Sequence, residues 1–368
     1  MGISRTLMNV FSRHQPEALF VISRDSPSAF ELGEAWAPWQ VPPNIVGRVL
    51  TPLFGALSLS SLDRALIVVP SSVEAFAPDL IVVSGSSIEC LFAAKRLSQR
   101  MQVALVSYFM DDLRMLDSRL WWRGTGKGLL SWLLSESRGV LFISAALQEA
   151  MSTRYDAPKR SLIVHSTVCP AEFRCVPPRP ITDRLKVLYA GSLWGMHFDA
   201  VELCASVVDE LQQSGLQVEL EIYTPSIAAA QHLSEYRGVT VHPAVPYEEI
   251  PAILGSSDVL LVAASFLQSN HHLAFSSLQT KLIDYMAAGR VVLSVGPQSG
   301  ACSRFVVEHS AGFIAASKEE VHNALVSLLK QPSYLIEQGR KNRRKAEEEF
   351  SQDTVLPKVA GFLNECLD

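Results

Sequence analysis

The feature that most constrains the fold is a repeated alternation of short apolar runs, rich in β-branched residues, with stretches of helical spacing. Buried parallel strands joined by crossover helices produce this pattern. In the first half, the runs predict strands at 18–23, 64–70, 79–85, 102–109, 139–144 and 161–166. The alternation begins again in the second half, with predicted strands at 185–193, 217–224, 239–245 and 258–265, followed by RVVLSVG (290–296) and a last unit around AGFIAAS (311–317). The sequence therefore predicts an α/β chain of two Rossmann-like halves with a ligand cleft at the carboxyl ends of their strands.

A proline-rich stretch, CVPPRPITD, separates the two halves and reads as a linker. At 368 residues, the chain has the length of two ordinary domains. We expect a first domain over 1–176, a second over 177–345, and a C-terminal helix over 346–368 that packs back toward the first domain.

Composition narrows the class of protein. The net charge is −5, with +2 on residues 1–178 and −7 on the rest, which excludes a strongly basic nucleic-acid binder. The six cysteines are scattered and lack the spacing of a zinc or redox site, so reduced thiols are expected. No apolar run has the length of a signal peptide or of a membrane span, and we expect a cytoplasmic protein.

Four segments resemble the donor and acceptor domains of GT-B glycosyltransferases, most closely the large group that includes the retaining family numbered four. They are LKVLYAGSL (185–193), VTVHPAVPYEEIPAILGSSDVLLVAAS (239–265), TKLIDYMAAGRVVLSVG (280–296) and residues 139–173. The resemblance implies that the first domain binds an acceptor and the second a nucleotide-sugar donor. It also implies sugar transfer without a required cofactor or metal ion, and no Asp-x-Asp metal motif is present.

A nucleotide diphosphate needs amide donors or cations for its phosphates, and helix N-termini supply amides. The sequence predicts a helix from Ser277 to Ala288, with free N–H groups at Ser276, Ser277 and Leu278. Lys281 lies one turn along to neutralise charge, and Asp284 follows on a neighbouring position. By resemblance, Asp284 is the ribose-binding carboxylate. The alternative is a surface ion pair between Lys281 and Asp284.

The Gly191–Ser192 turn after the first strand of the second half is the predicted second phosphate contact. Where the family often has Arg or Lys, the nearest candidate is His197, which could instead cap or pack in the following helix. Base recognition is expected on the main chain near Val245, Pro246 and Tyr247. Thr224 and Pro225 are expected to face them.

Ser276 stands where the resemblance places the first of the family's paired glutamates. Without that Glu, retention of anomeric configuration cannot be inferred. The preceding loop offers polar groups for the sugar or the leaving phosphate, or a plain surface; they are Gln268, Asn270, His271 and His272.

A transfer with inversion needs a base for the acceptor proton. Asp111 and Asp112 directly follow the strand 102–109 and are the preferred candidates, with Glu89 second. The alternative is that Asp111 caps the next helix.

The segment RLWWRGTGKGLLSW, residues 119–132, interleaves basic residues with three tryptophans. Such a segment suits contact with a lipid-linked acceptor at the inner membrane face, or a buried aromatic cluster with a basic rim. No nucleic-acid partner is expected.

Three functions fit these observations. The first is a glycosyltransferase acting on a glycan, a lipid-linked saccharide or a small natural product. The second is a sugar-nucleotide epimerase of the same fold, which would need no acceptor. The third is a two-lobed small-ligand-binding protein, a class that is usually exported.

Overall fold

The computed structural model describes residues 2–11, 18–23, 33–35, 70–84, 88–113, 125–173 and 183–367. These residues form two compact units. Unit 1 comprises 3–165 and 356–368, and unit 2 comprises 166–355. The chain thus passes between units after 165 and after 355, whereas the domain limits predicted from the sequence are after 176 and after 345.

Unit 1 contains a four-stranded parallel sheet of order β3-β4-β5-β6 and a separate parallel pair, β1-β2. The strands are β1 (Val21–Ser23), β2 (Gly33–Ala35), β3 (Leu80–Val83), β4 (Ala104–Phe109), β5 (Gly139–Phe142) and β6 (Ser161–Ile163). The helices are α1 (Gly2–Phe11), α2 (Ser71–Phe76), α3 (Ile88–Met101), α4 (Thr125–Glu136) and α5 (Ala145–Arg154). The predicted strand at 64–70 lies outside the described residues except for Pro70.

Unit 2 contains a six-stranded parallel sheet of order β12-β11-β10-β7-β8-β9. Its strands are β7 (Leu185–Ala190), β8 (Val218–Thr224), β9 (Val239–Pro243), β10 (Val259–Ala263), β11 (Val291–Val295) and β12 (Gly312–Ala315). Its helices are α6 (Phe198–Gln213), α7 (Ile227–Ala230), α8 (Ile250–Gly255), α9 (His271–Ser276), α10 (Lys281–Ala287), α11 (Ala301–Glu308), α12 (Lys318–Lys330) and α13 (Pro332–Glu349). The last helix, α14 (Gln352–Glu365), begins in unit 2 and ends in unit 1.

The order of strands in unit 2 has a switch point between β7 and β10. From β7 the chain proceeds to β8 and β9 on one side, and from β10 it proceeds to β11 and β12 on the other. In open parallel sheets, ligands bind at the carboxyl ends of the strands that flank such a switch point.

Burial explains why these segments form strands. All five residues of β10 and of β11 are buried, as expected of central strands covered on both faces. Strand β8 instead alternates buried and half-buried residues, and its half-buried positions include Glu219, Glu221 and Tyr223. The predicted α/β class with two parallel sheets is confirmed.

None of the helices in the described ranges combines the length and the apolar character that a membrane span requires.

Candidate functional site

The turn after β7 lies at the switch point and requires glycine. Gly191 has a φ of +148°, and its N–H donates to the carbonyl of Tyr223 at 2.9 Å. A Cβ atom at Gly191 would lie 2.7 Å from Nζ of Lys281. The backbone conformation therefore favours glycine at this position, and a side chain there would also displace the Lys281 ammonium group.

Lys281 is the first residue of α10 and extends toward this turn. Its Nζ lies 4.0 Å from the ring centroid of Tyr189, a cation–π distance. Burial lowers the pKa of Lys281 to about 7. The site thus contains a lysine amino group that is close to its titration point, and an anion bound beside it would favour the protonated form.

His197 follows the same turn and is buried. Its Nδ1 lies 3.1 Å from the Ser192 carbonyl oxygen, which can only accept, so Nδ1 carries the ring proton. Burial, with the charge of Lys281 as a second cause, lowers the pKa of His197 to about 3. The ring is therefore neutral near pH 7, and His197 does not provide the positive charge that the resemblance places after this turn.

The predicted helix start at Ser277 is wrong. Ser276 belongs to α9, and the N–H of Ser277 donates to the Leu273 carbonyl at 2.8 Å, so this group is not available to a ligand. Ser276 Oγ donates to the His272 carbonyl at 2.7 Å, and Ser276, Ser277 and Leu278 are all buried. Helix α10 begins at Lys281, and Asp284, half-buried, lies in its first turn.

The loops after β7 and β10 are joined by hydrogen bonds. The Ser265 N–H donates to the Met196 carbonyl at 2.8 Å, and Asn270 Nδ2 donates to the Gly195 carbonyl at 2.6 Å. The N–H of Phe266 donates to Oδ2 of Asp199 at 2.7 Å. Asn270 therefore acts within the protein, while Gln268 and His271 are exposed and His272 is half-buried.

The residues predicted for base recognition lie beyond the ends of β8 and β9. Thr224 is buried, and its Oγ1 accepts from the N–H of Ser226 at 3.1 Å. Val245 and Tyr247 are half-buried, and the Tyr247 hydroxyl donates to Glu172 Oε2 at 3.3 Å. The ends of both strands belong to the same sheet edge as Gly191, since β7, β8 and β9 are parallel neighbours.

The predicted catalytic residues lie in unit 1. Asp111 and Asp112 follow β4 at its carboxyl end, where Asp111 is half-buried and Asp112 is buried. Glu89 lies in the first turn of α3, and its side chain is outside the described residues.

The second unit matches a known protein family. The family model described as Glycosyl transferases group 1 matches residues 184–331, which include all six strands of unit 2 and every predicted donor-site residue. This segment is a group 1 glycosyl transferase domain. None of the curated proteins searched matches the chain.

Solved structures are similar over nearly the whole chain. The Anabaena protein Alr3699/HepE, solved with UDP and glucose, is 13% identical with a TM-score of 0.70, covering 99% of this chain and 96% of that one. A glycosyltransferase from Rickettsia africae ESF-5 is 10% identical with a TM-score of 0.69, covering 100% and 95%. The lipopolysaccharide outer core galactosyltransferase WaaB is 16% identical with a TM-score of 0.61, covering 99% and 94%. The chain is a glycosyltransferase with the GT-B fold, as the sequence predicts.

Sequence reasoning missed the aromatic residues that shape the group 1 glycosyl transferase domain around Lys281. The Tyr189 hydroxyl donates to the Ser192 carbonyl at 2.9 Å, and the N–H of Ala190 donates to the Tyr285 hydroxyl at 3.2 Å. Both tyrosines are buried, and their positions in an apolar strand and an apolar helix face looked like ordinary core. The available signal was the hydroxyl itself, because a buried tyrosine usually bonds to a polar partner.

A second missed pair in the group 1 domain lies toward the predicted base site. Tyr223 of β8 and His242 of β9 are paired in register, and their rings stack at 4.5 Å with an interplanar angle of 18°. Paired strand residues can be recognised only once the sheet order is known.

Proposed function

We propose that this glycosyltransferase takes its sugar from a nucleoside diphosphate sugar and holds the diphosphate between the Gly191 turn and Lys281. The observation that carries the proposal is the ammonium group of Lys281, which lies where a Gly191 side chain would be, at the switch point of the sheet. Nucleotide ligands bind at such switch points in open α/β sheets. Because Alr3699/HepE was solved with UDP-glucose, a UDP-sugar is the first donor to test.

Each part of the donor has a proposed partner in unit 2. The backbone of Gly191 and Ser192 approaches the phosphates, Lys281 neutralises their charge, and Asp284 accepts hydrogen bonds from the ribose hydroxyls. The base lies against Val245 and Tyr247, near the end of β8, where the buried Thr224 holds the following turn through its bond to Ser226. His271 and His272 are the first two residues of α9, where the sugar and the leaving phosphate would pass.

The same arrangement supports transfer without a metal ion. A lysine beside backbone amides can stabilise a departing diphosphate by itself. We therefore infer that chelation of divalent cations leaves donor binding unchanged.

The first test is calorimetric titration with UDP in a buffer containing EDTA. Wild type should bind with micromolar affinity. Lys281→Met should weaken binding at least tenfold, because a charge-assisted bond contributes about 1.5–3 kcal/mol, and Asp284→Asn should weaken it about fivefold.

Lys318→Met is the matched control, since Lys318 is an exposed lysine of the same unit that pairs with Glu210. It should bind UDP as wild type does. If Lys281→Met also binds like wild type, the diphosphate lies elsewhere and the proposal is wrong.

On the acceptor side we assign the proton-accepting role to Asp111, with Asp112 beside it, because both follow β4 at its carboxyl end. The acceptor is a glycan, a lipid-linked saccharide or a small natural product. A lipid-linked acceptor would bring the protein to the inner membrane face through residues 119–132. In this segment Lys127 is exposed and Trp132 is half-buried under the ammonium group of Lys95, at 4.7 Å, while Trp121 and Trp122 lie outside the described residues.

A further inference from the structure

Exposed apolar side chains cluster at the switch point of unit 2. Six large apolar side chains are exposed in the part of the chain that the structure describes, and three of them are Trp194, Phe266 and Leu267, at 51%, 37% and 53%. Trp194 lies in the loop after β7, and the other two lie in the loop after β10. An exposed apolar group of this kind usually marks a binding surface.

The two loops hold these side chains in adjacent positions. Gly195 and Met196, which follow Trp194, accept hydrogen bonds from Asn270 and Ser265, which flank Phe266 and Leu267 in the other loop. Asn270 Nδ2 also lies 3.0 Å from Ser265 Oγ. Trp194, Phe266 and Leu267 therefore lie on one continuous part of the surface, which hydrogen bonds between the two loops stabilise.

Trp194 is also linked, through contacts between aromatic rings, to the proposed diphosphate site at the Gly191 turn and Lys281. Its ring packs edge-on against His197 at 5.4 Å and 86°, and His197 lies 6.4 Å from the Tyr189 ring over which Lys281 is placed. A ligand with its diphosphate at Lys281 can therefore reach Trp194 with the group attached to that diphosphate.

The sheet order indicates which end of the donor reaches Trp194. Strand β7 lies between β10 on one side and β8 on the other. The proposed base site lies beyond β8 and β9, whereas Trp194 is braced against the loop after β10. The nucleoside and Trp194 are thus on opposite sides of the diphosphate, and the sugar is on the side of Trp194.

The chemistry of this surface also matches a sugar. A pyranose has C–H faces that pack on aromatic rings and hydroxyl groups around its edge that need polar partners. Beside the apolar side chains, Gln268 of the same loop and His271, the first residue of α9, are exposed. A hydrocarbon chain would leave these polar groups without a role.

The geometry points to Trp194 as a stacking platform for the sugar of the donor, so that it contributes to the choice of sugar. This inference rests on the proposed function, since it requires the diphosphate at Lys281. Phe266 and Leu267 extend the platform.

The test compares nucleoside diphosphates with and without a sugar. Dissociation constants of UDP, GDP, UDP-glucose and GDP-mannose are measured for wild type, Trp194→Ala and Trp194→Phe. Binding of the nucleoside diphosphates should stay within twofold in all three proteins. Binding of the sugar conjugate that wild type accepts should weaken about tenfold in Trp194→Ala and should largely recover in Trp194→Phe.

Val307→Ala is the control, because Val307 is an exposed apolar side chain of the same unit, at 60%, and lies on α11. It should change neither constant. An equal loss for diphosphate and conjugate in Trp194→Ala would mean that Trp194 contacts the nucleotide, and no loss would mean that it contacts no part of the donor. Either result overturns the inference while leaving the proposed function in place, as does a wild type that binds UDP or GDP but neither conjugate. A wild type that binds no nucleoside diphosphate contradicts the proposed function itself.

Discussion

The pKa of Lys281 depends on the groups that surround its side-chain nitrogen. The face of Tyr189 lies 4.0 Å away, and no carboxylate among the described residues forms an ion pair with Lys281. Burial, which lowers its pKa to about 7, therefore leaves about half of these groups neutral at pH 7. A diphosphate bound beside Nζ favours the charged form and raises this pKa.

This shift predicts proton uptake when UDP binds. The contribution of the charged lysine to affinity is fully present below the pKa of the free protein, about 7, and is lost as the pH rises through the higher pKa of the complex. At pH 8, where about nine-tenths of Lys281 is neutral in the free protein, binding should take up between about 0.5 and 1 proton per UDP. Calorimetry in two buffers with different ionisation enthalpies measures this number.

The variant Lys281→Arg distinguishes proton uptake by Lys281 from uptake by other groups, since a guanidinium group stays charged at pH 7 and at pH 8. This variant should bind UDP with almost no proton uptake. His197 cannot supply the effect near pH 8, because its pKa is about 3. Equal uptake in wild type and Lys281→Arg would contradict the assignment.

At the scale of elements, α13 holds α10 and the following turn in place. Asn342 Nδ2 donates to the carbonyls of Arg290 and Ala311, at 2.8 and 2.7 Å. One turn earlier, Gly339 lies so close to the chain at the end of α10 that a Cβ atom there would overlap the Gly289 carbonyl oxygen. The position of Lys281 thus depends partly on a helix that is remote from it in sequence.

Gly339→Ala should lower the melting temperature although alanine favours helices. Overpacking of a rigid contact costs about 1–3 kcal/mol, which exceeds the gain of about 1 kcal/mol in helix propensity. For a unit of this size, we expect a decrease of about 2–6 °C by differential scanning fluorimetry.

Gly361→Ala provides the comparison, because Gly361 also lies inside a helix, α14, and a Cβ atom there would have no neighbour within 4 Å. Its melting temperature should be unchanged or slightly raised. If both variants melt like wild type, α13 and α10 are not in rigid contact.

Helices and strands with a regular hydrophobic periodicity could be predicted from the sequence. Contacts between elements that are distant in sequence could not. Strand β10, Val259–Ala263, lies within the apolar run 258–265 that predicts it. The helix carrying Lys281 does not have its predicted start, because Ser277 resembles a helix start in isolation but ends α9 in the fold. Gln279 Nε2, which donates to the Ala263 carbonyl at 2.6 Å, fixes the segment between α9 and α10 through a partner in β10. Similarly, Lys281 and Asp284 could be selected from the sequence, but the contact of Lys281 with Tyr189 required the sheet order.

At the scale of the whole molecule, membrane contact through residues 119–132 predicts binding to anionic vesicles. Wild type should float with liposomes that contain anionic lipid, because tryptophans and basic side chains together favour such an interface. Trp121→Ala/Trp122→Ala should reduce the floating fraction severalfold, and high salt should reduce it too. Trp194→Ala, which removes an exposed tryptophan of unit 2, should float like wild type; a wild type that stays with the unbound fraction rules out the membrane contact.

The position of the last helix has a consequence for synthesis. Unit 2 occupies 166–355, while unit 1 needs residues from both ends of the chain, and Gly139 at the start of β5 packs against Phe362 and Cys366. A ribosome moving from the N-terminus therefore delivers every residue of the second unit before the first has its closing segment. The first unit therefore lacks residues 356–368 of its surface until the whole of the second unit has been made, whereas domains that are continuous in sequence usually fold in the order of their synthesis.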